Sequence, residues 1–127
     1  MSSRIEIDLN ATTSVTRQIV DQLRLKLVDG SVSAGDALPS VRRLAVDLGV
    51  HFNTVADAYR TLADEGWLDI SQGRGAIVRS RTTPAASAET RQRFRQRLQQ
   101  LVAEARAQGV TPAALARELT AITEALK

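Results

Sequence analysis

The side chains best suited to chemistry are concentrated between residues 40 and 54. This stretch offers hydroxyl, guanidinium, imidazole and amide groups, carried by Ser40, Arg42, Arg43, His51, Asn53 and Thr54. Groups of these kinds donate hydrogen bonds to phosphate oxygens and to the edges of bases. Phe52, an aromatic residue, lies among them. The residue types therefore predict a binding surface for nucleic acid.

The arrangements expected of an enzyme or a metal site are missing from the sequence. There is no cysteine and a single histidine, which excludes thiolate zinc sites and histidine clusters. No phosphate loop, GxSxG motif or Ser/His/Asp set is present. Asp57, Asp64 and Glu65 share one predicted helix, where we expect a solvated face bonded to neighbouring Arg60. We therefore predict no enzymatic activity, no metal and no cofactor.

Composition indicates a soluble protein. Hydrophobic residues make up 43% of the 127 residues and charged residues 24%, and no run approaches the roughly 20 apolar residues that span a bilayer. The N-terminus does not resemble a signal peptide, so we expect a cytoplasmic protein without membrane contact. The net charge is +3, but residues 1–83 have ten basic and ten acidic residues. Binding of DNA by that part would require its positive charge to be clustered on one face.

Periodicity predicts the elements that position the polar stretch. Alternation from Ile5 to Leu9 predicts a short strand, and apolar residues every four positions from Val15 predict a helix that ends near Gly30. Ser40 is placed to cap a second helix that Gly49 terminates. A third helix is expected over 52–65, and the segment between the first and second helices is read as turns.

The spacing of Ala45, Gly49 and Val55 is typical of a helix-turn-helix. A small residue lets two crossed helices approach, glycine supplies the positive φ of the turn, and an aliphatic residue fills the gap between them. An ordinary helical hairpin with a glycine cap would explain Gly49 equally well.

A predicted hairpin after these helices favours the helix-turn-helix. Residues 67–71 and 76–78 read as strands around the turn QGRG, residues 72–75. Gly73, Arg74 and Gly75 would let the backbone approach a phosphate and let the arginine enter the minor groove. The order strand, three helices and hairpin predicts a winged helix-turn-helix over residues 1–80.

The remaining residues predict a linker over 81–86 and a helical tail over 87–127. Apolar residues step by four, three and four along two helices, with Thr111 and Pro112 starting the second. Such stripes ordinarily form an internal core, but two helices enclose little of one, so pairing with a second copy is expected. The candidate dimerisation residues are Phe94, Leu98, Leu101, Leu115, Leu119, Ile122 and Leu126.

The winged region resembles the DNA-binding domain of the GntR family of bacterial regulators. Four segments match that family's signatures in order: GDALPSVRRLA at 35–45, LGVHFNTV at 48–55, EGWL at 65–68 and GRG at 73–75. The short tail is similar to that of the YtrA subfamily. That resemblance implies dimerisation through the tail, contact of Arg42 with DNA, and regulation of genes that often lie beside those of ABC transporters.

Two positions depart from the pattern of many members, which have arginine where this chain has Phe52 and Ala56. Direct recognition of guanine by those arginines is lost, which favours an operator that tolerates A·T pairs or is read by shape. Phe52 either contacts thymine methyl groups or packs at the start of its helix.

Taken together, these features predict an α+β, mainly α fold: a winged helix-turn-helix followed by a two-helix dimerisation hairpin. We expect a homodimeric transcriptional repressor that binds double-stranded DNA at an inverted-repeat operator. A small-molecule effector, of an identity that the sequence does not reveal, would bind at the dimer or interdomain interface, since the tail is too small to enclose it. The alternative is a winged-helix module that binds a protein partner and contacts DNA incidentally.

Overall fold

The computed structural model describes residues 5–71 and 75–126, which form five helices and three short strands. Their order is α1 (Val15–Val28), β1 (Ala37–Leu38), α2 (Val41–Leu48), α3 (Phe52–Asp64), β2 (Leu68–Ser71), β3 (Gly75–Val78), α4 (Ala88–Ala107) and α5 (Pro112–Ala125). The contacts divide the chain into two compact units, Met1–Arg81 and Thr82–Lys127.

The core of the first unit lies between α1, α2, α3 and the sheet. Helix α3 packs against both α1 and α2 and reaches β2. Its inward face is fully buried, and the largest buried side chains of the unit are Ile19, Val55, Tyr59, Leu62 and Leu68. These residues recur at helical spacing, as the sequence predicted, because each helix buries one apolar stripe. Helix α3 is therefore fixed along its length, with its opposite face in solvent.

The sheet has the order β1-β3-β2, with both pairings antiparallel. The predicted hairpin of β2 and β3 is confirmed, with Leu68 opposite Val78. The sequence missed β1, which was read as part of a turn. Ala37 and Leu38 pair with Ile77 and Ala76, a two-residue strand too short to show an alternating pattern.

The predicted strand over Ile5–Leu9 is wrong. These residues belong to no sheet; two glutamines of α1 satisfy their backbone instead. The side-chain amide of Gln22 accepts from the N–H of Glu6 (2.9 Å) and donates to its carbonyl (2.6 Å). Gln18 does the same for Asp8, at 2.8 and 2.9 Å. The alternation correctly identified Ile5 and Ile7, which pack on the core, but Leu9 is 80% exposed, and the hydrogen-bond partner of the segment is a helix.

The second unit consists of α4 and α5, joined by a turn at 108–111. Ser87 and Thr111 cap the two helices, and Gly109 adopts a positive φ of 95° after α4. Close contact between the two helices is slight. The predicted helices and turn are thus confirmed, but the described residues of this unit include no buried side chain.

Candidate nucleic-acid interface

The N-terminus of α2 is set by Ser40. Its backbone is extended and its Oγ accepts a hydrogen bond from the N–H of Arg43 at 3.1 Å, as expected of a helix cap. Arg42 and Arg43 follow in the first turn with exposed side chains. The Arg43 guanidinium lies 3.3 Å from the Asp47 carboxylate, in a pair open to solvent. Such a pair is weak, which leaves both arginines able to reach a phosphate.

The turn between α2 and α3 has the geometry that the sequence predicted. Gly49 has φ 70° and ψ 34°, the left-handed conformation, and its N–H donates to the end of α2. Ala45 and Val55 are buried on either side of the turn. Ala45, Gly49 and Val55 therefore form the turn of a helix-turn-helix, as their spacing predicted.

His51 caps the N-terminus of α3 through its ring. Its Nδ1 accepts a hydrogen bond from the N–H of Asn53 at 3.1 Å. This nitrogen takes the role that a serine or aspartate oxygen usually has at a helix cap. The ring also stacks on that of Phe52, with centroids 5.1 Å apart. Asn53 is exposed and Thr54 half-buried, so Asn53 is the more accessible of the two polar residues.

A hydrogen bond joins α3 to the residue that precedes the cap of α2. Tyr59 of α3 is 1% exposed and its hydroxyl donates to the carbonyl of Pro39 at 2.7 Å. Burial raises the pKa of this hydroxyl well above its ordinary value, so it remains a proton donor. The bond holds the chain directly before Ser40 against α3.

The base of the wing lies beside the cap of α2. Gly75 has φ 73°, and a Cβ atom on it would lie 3.8 Å from Cα of Ser40 and 3.9 Å from the carbonyl oxygen of Leu38. The structure thus brings together two predicted DNA contacts, Ser40 and Gly75. The other two wing residues of the prediction, Gly73 and Arg74, lie outside the described residues.

A shallow groove of about 480 Å³ runs between α3 and the sheet. Ala56 and Arg60 line it from α3, Val41 from α2, and Arg79 from the end of β3. Arg79 is exposed, and neither it nor Arg42 has a described carboxylate within ion-pair distance. The sequence analysis did not single out Arg79; its position directly after the second wing strand was the available signal.

Comparison with known proteins identifies this arrangement. The family model "Bacterial regulatory proteins, gntR family" matches residues 15–78, about half of the chain, from α1 to the end of β3. The chain belongs to the GntR family. It is accordingly a DNA-binding transcriptional regulator and not an enzyme, and its fold is the mainly helical winged helix-turn-helix of that family.

Two relatives of similar length extend the likeness into the tail. The chain is 32% identical to the HTH-type transcriptional repressor YtrA of Bacillus subtilis over 84% of this chain and 82% of that protein. It is 33% identical to the HTH-type transcriptional regulator Rv1152 of Mycobacterium tuberculosis, over 91% and 94%. The solved YtrA of Sulfolobus acidocaldarius is 37% identical with a TM-score of 0.61, over 80% of this chain and 99% of that one. The chain is a YtrA-like GntR regulator.

Of the carboxylates predicted to form the solvated face of α3, Glu65 was misassigned. Asp57 does bond Arg60, at 2.9 Å, as expected. Glu65, however, does not belong to the solvated face: it pairs with Arg24 of α1 at 2.5 and 3.1 Å and accepts from the Trp67 indole at 3.2 Å. The hydrogen bonds from Arg24 lower the pKa of the Glu65 carboxyl and raise that of the guanidinium. Glu65 therefore joins α1 to the start of β2.

Arg81 completes this cluster at the end of the winged unit. Its Nε donates to the backbone carbonyl of Glu65 at 2.9 Å, and its guanidinium lies 4.5 Å from the centre of the Trp67 ring. A cation held over an indole face is attracted by the ring quadrupole. The last residue of the unit is thereby fixed to its core.

The predicted dimerisation residues lie on α4, on α5 and at the end of α5, and five of the seven are exposed. Phe94 is 65% exposed, Leu101 61% and Ile122 55%, while Leu98 and Leu115 are half-buried. The exposed group also includes Leu119 and Leu126.

Within residues 5–71 and 75–126, no three His, Asp or Glu side chains are grouped so that they could hold a metal ion. No helix in that part of the chain is long and apolar enough to cross a bilayer.

Proposed function

We propose that this chain is a homodimeric repressor that binds an inverted-repeat operator through two winged domains joined by their tails. The observation that carries the proposal is the exposure of Phe94, Leu101 and Ile122 in a unit that has no buried described side chain. Apolar surface on this scale favours burial against another molecule. A second copy offers an identical surface, and a two-fold axis lets the same stripe serve both partners.

The groove along α4 is where we place part of this contact. Its volume is about 640 Å³, and Phe94, Leu98 and Leu101 line it together with Arg93, Arg97 and Glu104. The apolar residues lie in one row flanked by charges of both signs, a pattern typical of paired helices. We assign this open groove to the partner's tail rather than to a small-molecule effector.

The DNA surface of each copy comprises the described residues Ser40, Arg42, Arg43, His51, Phe52, Asn53, Thr54 and Gly75, together with Gly73 and Arg74 of the wing. In this proposal the N-terminus of α3 enters the major groove, while the first turn of α2 and the wing contact phosphates. Repression is supported by the similarity to YtrA of Bacillus subtilis, which is a transcriptional repressor. The resemblance to the YtrA subfamily supports a transporter operon as the target.

Sedimentation and DNA binding together test the proposal. The full chain is expected to sediment as a dimer at micromolar concentration and to shift a duplex with two half-sites in preference to one. Replacing Phe94 and Leu101 with alanine removes apolar surface but preserves helix propensity, so it should give folded monomers. Leu25, 56% exposed on α1, provides the control, and Leu25→Ala should remain dimeric.

Two results would contradict the proposal. The first is a wild-type chain that stays monomeric at these concentrations. The second is equally weak binding to all duplexes that Arg42→Ala leaves unchanged; this result would favour the alternative, a protein-interaction module. Operator binding should weaken steeply as the salt concentration rises, because arginines release counterions from phosphates when they bind. Arg42→Ala should reduce the slope of log affinity against log salt concentration by about one.

A further inference from the structure

We infer that the exposed face of α3 recognises thymine through its 5-methyl group, with Phe52 and Ala56 as the specificity-determining contacts. This inference deepens the proposed function and rests on it, because it assumes that the N-terminus of α3 enters the major groove.

The first observation is the position of Phe52. Sequence reasoning left open whether this ring packs at the helix start, but it is 49% exposed and is not part of the buried core. Val55 and Tyr59 supply that core from the same helix. Half of a large apolar ring therefore remains in solvent at the first position of the recognition helix.

The second observation is that the ring is held in place. His51 caps α3 through Nδ1, and its ring stacks on Phe52 at an interplanar angle of 25°. Since Nδ1 accepts a hydrogen bond, the proton of the neutral imidazole resides on Nε2. The pair thus presents an ordered apolar ring beside a single N–H donor, which suits a methyl group beside a phosphate or base oxygen.

The third observation is the chemistry of the next residue along the same face. Ala56 follows Phe52 by four positions, which places the two side chains one above the other on a helix. Ala56 is half-exposed and lines the groove between α3 and the sheet. Phenylalanine and alanine are both residues that make apolar contacts with the thymine methyl group in the major groove.

The fourth observation concerns guanine. Arginine is the commonest reader of the guanine O6 and N7 atoms. Helix α3 has one cation, Arg60, and its guanidinium is bonded to Asp57 at 2.9 Å, two turns beyond Phe52. The first two turns of α3 therefore contain apolar and neutral polar groups together with one carboxylate. This set favours thymine over guanine at the contacted step.

The test replaces thymidine with deoxyuridine, whose base lacks only the 5-methyl group. A duplex is first selected from a random library with the full-length protein, and each thymine is then replaced singly. We expect wild type to lose about fourfold in affinity at one or two positions of each half-site, the value of one buried methyl-sized group. Phe52→Ser, which replaces the ring with a polar side chain, should bind the thymine and deoxyuridine forms equally at its position, and Phe52→Leu should retain part of the preference.

Leu25→Ala provides the matched control, because it removes an exposed apolar side chain from α1, and it should keep the full methyl preference. A selected duplex that wild type binds equally well with thymine or deoxyuridine at every position would overturn the inference and leave the proposed function intact. Failure to select any duplex would instead overturn the proposed function and the inference with it.

Discussion

The hydroxyl of Tyr59 donates a 2.7 Å hydrogen bond to the carbonyl of Pro39, and this contact joins the middle of α3 to the residue before the α2 cap. The two residues lie 20 positions apart, yet they define where α2 starts relative to α3. The crossing angle of a helix-turn-helix determines how both helices meet the duplex. In the proposed complex with DNA, this buried bond therefore helps to set the orientation of the two helices.

Replacing Tyr59 with phenylalanine should lower stability by about 1 kcal/mol, because the ring still fills the core while one hydrogen bond is lost. Urea denaturation measures this effect through a lower midpoint at an unchanged slope. Tyr59→Ala, which also empties the site of the ring, should cost about 3–5 kcal/mol. Equal stability of wild type and Tyr59→Phe would show that the hydrogen bond contributes nothing.

Gly49 should resist replacement for reasons of backbone conformation alone. A Cβ atom there meets nothing within 4 Å, but its φ of 70° disfavours residues with a side chain. We expect Gly49→Ala to cost about 1–2 kcal/mol and Gly49→Asn less, since asparagine enters the left-handed region more readily. Thermal unfolding of the two variants checks the order, and an alanine variant as stable as the asparagine variant would contradict it.

The Glu65–Arg24 pair should make stability depend on pH in the acid range. The folded-state pKa of Glu65 lies below its ordinary value of 4.5, so the unfolded chain binds the proton more tightly. The stabilisation is therefore fully present above about pH 4.5 and is lost as pH falls through the lowered pKa. Since both side chains are about one-third exposed, we expect at most about 1 kcal/mol.

Glu65→Gln isolates this effect, because glutamine keeps an acceptor for the Trp67 indole but carries no charge. Urea denaturation of both proteins between pH 7 and pH 3 should show wild type losing more stability than Glu65→Gln. Parallel pH profiles would mean that the pair does not contribute.

The glutamine contacts of the N-terminal segment should depend on the amide group itself. Gln22 both accepts from and donates to the backbone of Glu6, whereas glutamate at position 22 could only accept. Gln22→Glu should therefore place a carboxylate beside the Glu6 carbonyl and accelerate hydrogen exchange of the Glu6 amide by about tenfold near neutral pH. The Asp8 amide, held by Gln18, is the internal control and should change less. Equal protection of Glu6 in both proteins would refute this assignment.

Local patterns predicted most of the winged domain, because helix caps, turns and apolar stripes depend on residues close together in the chain. The Ala45, Gly49 and Val55 spacing and the Ser40 cap are of this kind. Alternation over Ile5–Leu9 indicated that Ile5 and Ile7 pack on the core, but it was wrong for Leu9 and did not show what bonds the backbone, so a segment held by glutamines looked like a strand. The site residues proposed on α2 and α3 were predicted from their chemical types, but the ring stacking of His51 and Phe52 required coordinates.

The misassigned residues depend on distant partners. Glu65 and Arg24 lie 41 positions apart, so the spacing of carboxylates along α3 could not reveal their pairing. The same limit applies to β1, whose two residues become a strand only because β3 lies beside them. In each case the determining contact is tertiary.

The attachment of Arg81 to Trp67 and to the Glu65 carbonyl sets a mechanical limit on any assembly of this protein. The connecting segment begins at Thr82 and ends at Ser87, the cap of α4, and it could span about 20 Å at full extension. In the proposed dimer, the length of this segment limits the distance between each winged domain and its helical tail. Insertions or deletions in these few residues would then change the spacing between operator half-sites that the dimer can bind. The base preference within each half-site would stay the same.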